Sequence, residues 1–91
     1  MITTNHEQAG AMDAVREALS RQLRIAVDQV EPDERLDLLP NADSVRLMRA
    51  VSALERRFDI ELDDQAIRSA ETVADLARLI QEELASAGGL G

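Results

Sequence analysis

From Ser44 to Phe58 the apolar positions Leu47, Val51, Leu54 and Phe58 recur at three- and four-residue steps, with Ala50 and Ala53 beside them. That spacing predicts an amphipathic helix whose small residues allow a neighbour to approach closely. A second stripe, Met12, Val15, Leu19, Leu23 and Ala26, predicts an earlier helix from about Met12 to Val27. A third, Val73, Leu76, Leu79 or Ile80, and Leu84, predicts a last helix, and Thr72-Val73-Ala74-Asp75 before it has the spacing of a capping box with Asp in place of Glu.

Between these stripes the periodicity fails. Pro32 and Pro40 punctuate residues 28 to 43, and Val30, Leu36, Leu38 and Leu39 fit neither helix nor strand spacing. A connection of that length is uncommon without a task, and its apolar residues suggest a loop lying against the helices, anchored by Leu36 and Leu39. Asp59-Ile60-Glu61-Leu62-Asp63-Asp64 alternates like a strand but has no partner, so it is read as an extended connector whose Ile60 and Leu62 reach the core. Asp63 or Asp64 then caps a short helix near Gln65 to Ser69. The expectation is an all-α four-helix bundle with a long loop between helices one and two and a short third helix. Residues 1–10 are expected to form a disordered lead-in, 11–85 the folded domain, and 86–91 a flexible tail.

Composition agrees with helices. The 91 residues are 45% apolar with Phe58 the sole aromatic, so the core must be aliphatic. The absence of cysteine excludes disulfides, thiolate metal sites and cysteine nucleophiles. A net charge of −8 argues against nucleic acid, which needs a basic stripe. No apolar run can span a bilayer, and the opening residues lack a signal-peptide pattern, so a cytoplasmic protein is expected.

The candidate chemistry lies at Asp43-Ser44. Here a polar loop gives way to a helix, and a serine at the positive end of the helix dipole, its hydroxyl facing solvent, would welcome an attached anionic group. Asp and Ser are also the commonest helix caps, so the pair alone says little. Its context says more. Leu39-Pro40-Asn41-Ala42-Asp43-Ser44-Val45, Ala53-Leu54-Glu55-Arg56-Arg57-Phe58-Asp59-Ile60-Glu61-Leu62 and Thr72-Val73-Ala74-Asp75-Leu76 stand in one register. Together they resemble the acyl/peptidyl carrier protein family over about Val15 to Leu84, where Gly-x-Asp-Ser-Leu opens the second helix.

The resemblance implies that Ser44 accepts 4′-phosphopantetheine from coenzyme A as a phosphodiester, and that cargo rides as a thioester on the arm's thiol. Asp43 would orient the loop and contact the Mg²⁺ used by the phosphopantetheinyl transferase. Val45 and Met48 would form an apolar patch touched by partners, although alone each residue type is more often core. Two departures stand out: Asn41 replaces the family glycine, and Asn is its best substitute at a left-handed position; Val45 replaces leucine.

Charge marks a third. Residues 43 to 59 hold four Arg against Asp43, Glu55 and Asp59, net +1, so the remainder carries −9. Arg46 and Arg49 stand where bacterial fatty-acid carriers are commonly acidic, so a polyketide, nonribosomal-peptide or other specialised pathway with acidic or mixed enzyme surfaces is favoured. A plain solvated face is the competing account of these arginines. Expected partners are the transferase, an acyl- or aminoacyl-loading enzyme and downstream biosynthetic enzymes, with the carrier itself a monomer, no metal and no catalytic residue. The alternatives are a carrier of fatty-acid synthesis or an unmodified carrier-like adaptor. A small hydrolase or lyase is the weakest reading, since His6 is peripheral and no nucleophile–base pair can be assembled.

Overall fold

The computed structural model describes the backbone of residues 3–89 and the side chains of residues 10–86. Four α-helices follow one another: α1 (Thr3–Leu23), α2 (Ser44–Phe58), α3 (Asp64–Ser69) and α4 (Val73–Gly89). Single 3₁₀ turns interrupt the long loop at Val27–Gln29 and Leu36–Leu38. No strand occurs among the described residues; the nearest thing is an isolated bridge between Arg35 and Thr72. α1 packs against both α2 and α4, and α3 touches α4.

The buried stripes coincide with the periodic ones. Val15, Leu19 and Leu23 of α1, Ala50, Val51 and Leu54 of α2, and Val73, Leu76 and Ile80 of α4 make one aliphatic core. Val30 and Leu39 of the loop and Leu62 of the connector are buried in it, while Leu36 and Ile60 pack against its edge. The loop therefore lies on the bundle, and five of its backbone groups explain how. Leu36 N–H donates to the Glu71 carbonyl at 2.9 Å, Val73 N–H to Glu34 at 3.0 Å, and Ala74 N–H to Pro32 at 2.8 Å. Arg16 adds side-chain bonds from α1 to the carbonyls of Val30 and Val27, at 2.7 and 3.1 Å.

α1 departs from its expected limits at both ends. It starts at Thr3, reaching into the stretch read as a lead-in, and it stops at Leu23, so Ala26 is exposed and outside it. The stop is a backbone closure: Arg24 takes the left-handed conformation at φ 57°, Ile25 N–H reaches the Ser20 carbonyl at 3.1 Å, and Ser20 Oγ donates to the Ile25 carbonyl at 2.6 Å. α2 ends the same way on Asp59, φ 57°, with Ile60 N–H on the Glu55 carbonyl. α4 runs to Gly89, beyond the expected start of the tail. The expected flexibility of both ends bears on side chains that lie mostly outside the described residues.

The predicted capping box is present in full. Thr72 Oγ1 accepts from Asp75 N–H at 3.1 Å, while Asp75 Oδ2 accepts from the N–H groups of Thr72 and Glu71 at 3.1 and 3.0 Å. The Glu71 and Thr72 backbone donors hold the Asp75 carboxyl below the usual aspartate range. A depressed folded-state value means the cap's contribution is complete above the unfolded-state pKa and disappears as pH falls through the folded one. The expected result is a thermal midpoint that drops on acidification below about pH 4, with a shallower drop in Asp75→Asn, measured by circular dichroism melts across pH.

Candidate functional site

The turn before α2 is built from three side chains. Pro40 leads into Asn41, which takes the left-handed backbone at φ 65°, as expected of the residue standing in for glycine. Asn41 does more than tolerate that conformation. Its Nδ2 donates to the Leu23 carbonyl at 2.8 Å, tying the turn to the last residue of α1. Asp43 then caps α2: its backbone is extended and its Oδ1 accepts the Arg46 N–H at 2.8 Å.

Arg46 closes the ring. Its Nη1 donates to Asp43 Oδ2 at 2.8 Å and to the Asn41 carbonyl at 3.3 Å. Sequence reasoning placed Arg46 on a partner surface or on a plain solvated face; its guanidinium bonds to the turn. The i, i+3 spacing of Asp43 and Arg46 was the available signal. Asn41→Ala should lower stability by about 1 to 2 kcal/mol, because it loses the bond to Leu23 and places a Cβ residue at positive φ without the Asn side chain's help. Asn41→Gly should lose less, since glycine relieves the backbone; urea unfolding of the two variants measures the difference.

Within this frame Ser44 is the first residue of α2, and it is exposed. Its hydroxyl is reachable from outside, and the N–H groups of Ser44 and Val45 are the first-turn donors that Asp43 leaves unused. Val45 and Met48 also face solvent, at 59% and 44% exposure. Leu38 of the second 3₁₀ turn is 70% exposed, an apolar surface residue that the loop's irregular spacing did not single out. Arg49 is exposed and forms no ion pair among the described residues.

A cavity of about 730 Å³ adjoins Ser44, between α2, α3 and the loop. Leu19, Leu47, Val51, Ile67 and Leu76 give it an apolar floor. Arg35 forms part of its wall, paired with Asp37 at 3.2 Å and Glu71 at 3.9 Å. The bond to Arg35 holds the Asp37 carboxyl below its usual range. An exposed serine at a helix start beside an apolar recess suits a long, partly apolar group attached at that point; among the described residues no base is hydrogen-bonded to the Ser44 hydroxyl.

Comparison with known proteins agrees with this geometry. A family model described as the phosphopantetheine attachment site matches residues 13–80. An acyl carrier protein from Sulfurovum sp. (strain NBC37-1) is 35% identical over 69 residues, covering 76% of this chain and 92% of that protein. No described helix is long and apolar enough to cross a membrane. The chain therefore belongs to the acyl carrier protein family: it is a carrier and not a catalyst, its cofactor is a covalently attached 4′-phosphopantetheine, and phosphopantetheinyl transferases and biosynthetic enzymes are the partners of such proteins.

Proposed function

We propose that Ser44 is the residue that bears the arm, in a cytoplasmic, monomeric carrier whose working domain is residues 11–85. The observation that carries this is the exposed Ser44 hydroxyl at the first position of α2, held by the Asn41, Asp43 and Arg46 network. Bound there, the arm supplies a thiol on which cargo is held as a thioester. The chain's part is to hold and present: Asp43 fixes the start of the helix, Arg46 fixes Asp43, and Asn41 fixes both to α1. Val45, Met48 and Arg49 form the contact patch beside Ser44.

The pathway is a specialised one, of polyketide or nonribosomal-peptide type, rather than housekeeping fatty-acid synthesis. What supports this is the charge of α2, four Arg against Glu55 within Ser44–Phe58. Enzymes evolved for an acidic second helix would meet like charge here. Incubating the purified apo chain with coenzyme A and a broad-range phosphopantetheinyl transferase should add the mass of one arm, read by intact-protein mass spectrometry. An unchanged mass with several such transferases would instead indicate an unmodified adaptor.

A further inference from the structure

Resting on the carrier reading, we propose that the crease between α1 and α2 docks an acidic protein surface on the enzymes that load and use this chain, with Arg21 of α1 and Arg24 just past its end acting beside Arg49 and Arg56 of α2. The two helices are tied at two points. Arg57 Nη1 meets Glu17 Oε1 at 3.2 Å at one, and Asn41 bonds the Leu23 carbonyl at the other. The last turns of α1 thereby lie alongside α2. Between them lies a shallow recess of about 230 Å³ with a floor of Ala14, Ala18, Ala53 and Leu54, and with Arg21 and Arg57 on its rim.

Six of the ten arginines lie on α2, on the last turn of α1 or directly after it: Arg21, Arg24, Arg46, Arg49, Arg56 and Arg57. Glu17 and Asp43 neutralise Arg57 and Arg46. Arg21, Arg24, Arg49 and Arg56 are exposed and form no ion pair among the described residues. These six Arg and their two acidic partners sum to +4 in a chain of net charge −8, so the other groups total −12. Local pairing accounts for two of these cations and leaves four of one sign along a face that their mutual repulsion disfavours.

An acidic protein face relieves that repulsion and is drawn to it, while a basic one is repelled. A nucleic acid or an anionic membrane extends past the strip and meets the −12 of the remainder, so a compact protein surface fits better. Exposed Val45 and Met48 at the Ser44 end supply apolar contact once the charges have oriented the partner.

The test uses the full apo chain and the host's own phosphopantetheinyl transferase, with kcat and KM of loading measured separately. Two charge reversals avoid the Ser44 turn: Arg21→Glu with Arg24→Glu at the end of α1, and Arg49→Glu with Arg56→Glu on α2. Each pair should raise KM about tenfold at ~0.1 M salt with kcat nearly unchanged, and the gap should close at ~0.5 M salt, where screening shortens the reach of exposed charges. Arg21→Gln with Arg24→Gln should give a smaller rise, which keeps the test valid if the α1 reversal fails to fold. An unchanged KM for the folded α1 variants removes α1 from the docking surface, and a lowered KM shows that the partner face is basic; either overturns the proposal. Concentration-dependent self-association lost in the α1 variants, with KM flat, would assign the crease to a second copy instead. Failure of the wild-type chain to load at all sinks the carrier reading itself, a result distinct from each of these.

Discussion

Ser44→Ala should abolish loading completely while leaving the thermal midpoint within a degree or two of wild type. The first half follows from chemistry: a methyl group offers no oxygen to esterify, and the neighbouring residues supply no substitute at the same place. The second half follows from the hydrogen bonds. Asp43, not Ser44, caps α2, and the Asn41, Asp43 and Arg46 ring closes through atoms that Ser44 does not provide. Ala is a strong helix former, so the first position of α2 tolerates it. Intact mass after incubation with coenzyme A and transferase, paired with a melting curve, checks both halves. A loaded Ser44→Ala would move the attachment point elsewhere; an unfolded one would make Ser44 structural.

Leu54→Ala is the largest expected effect on stability. Leu54 is fully buried where α2 meets α1, among buried residues that are all aliphatic, with Phe58 packed only against their edge. Truncating a buried leucine costs about 3 kcal/mol, from lost transfer energy and the cavity left behind. A domain of this size has roughly 5 to 10 kcal/mol in total, and the corresponding fall in thermal midpoint is on the order of 10 to 20 °C. Because α1 and α2 frame the Ser44 turn through the Asn41 bond to Leu23, loading should weaken near physiological temperature as well. Urea denaturation and loading rates on one preparation measure both, and a loss below ~1 kcal/mol would mean the core relaxes around the void.

α2 and α4 were legible because their signals are local. The stripe from Leu47 to Phe58 is strictly periodic, Asp43 stands at its cap, and Thr72 with Asp75 announces the start of α4. α1 was misjudged at each end for two reasons. Gly10 reads as a break, yet it lies inside the helix, where one glycine costs about 1 kcal/mol and can be outweighed by packing. At the other end the stop depends on Arg24 at positive φ, a closure usually marked by glycine and here carrying no such mark.

The loop's anchors Leu36 and Leu39 were visible as apolar residues, but its bonds to residues 71 to 74 join segments some 40 positions apart and leave no local pattern. At the site, Ser44, Asp43, Val45 and Met48 could be picked out by motif and register. The role of Arg46 could not, because it depends on a guanidinium folding back onto Asp43 and Asn41. The basic crease was hidden for a related reason: Arg21 and Arg24 join the arginines of α2 only once α1 is laid beside it.

Peptide-level mass spectrometry of the chain purified from its host tests the central claim most directly. The account predicts that the proteolytic peptide containing Ser44 carries one 4′-phosphopantetheine, with fragment ions placing it on that side chain. Unmodified Ser44 peptide throughout, or an arm found on Ser52 or Ser69, would contradict it.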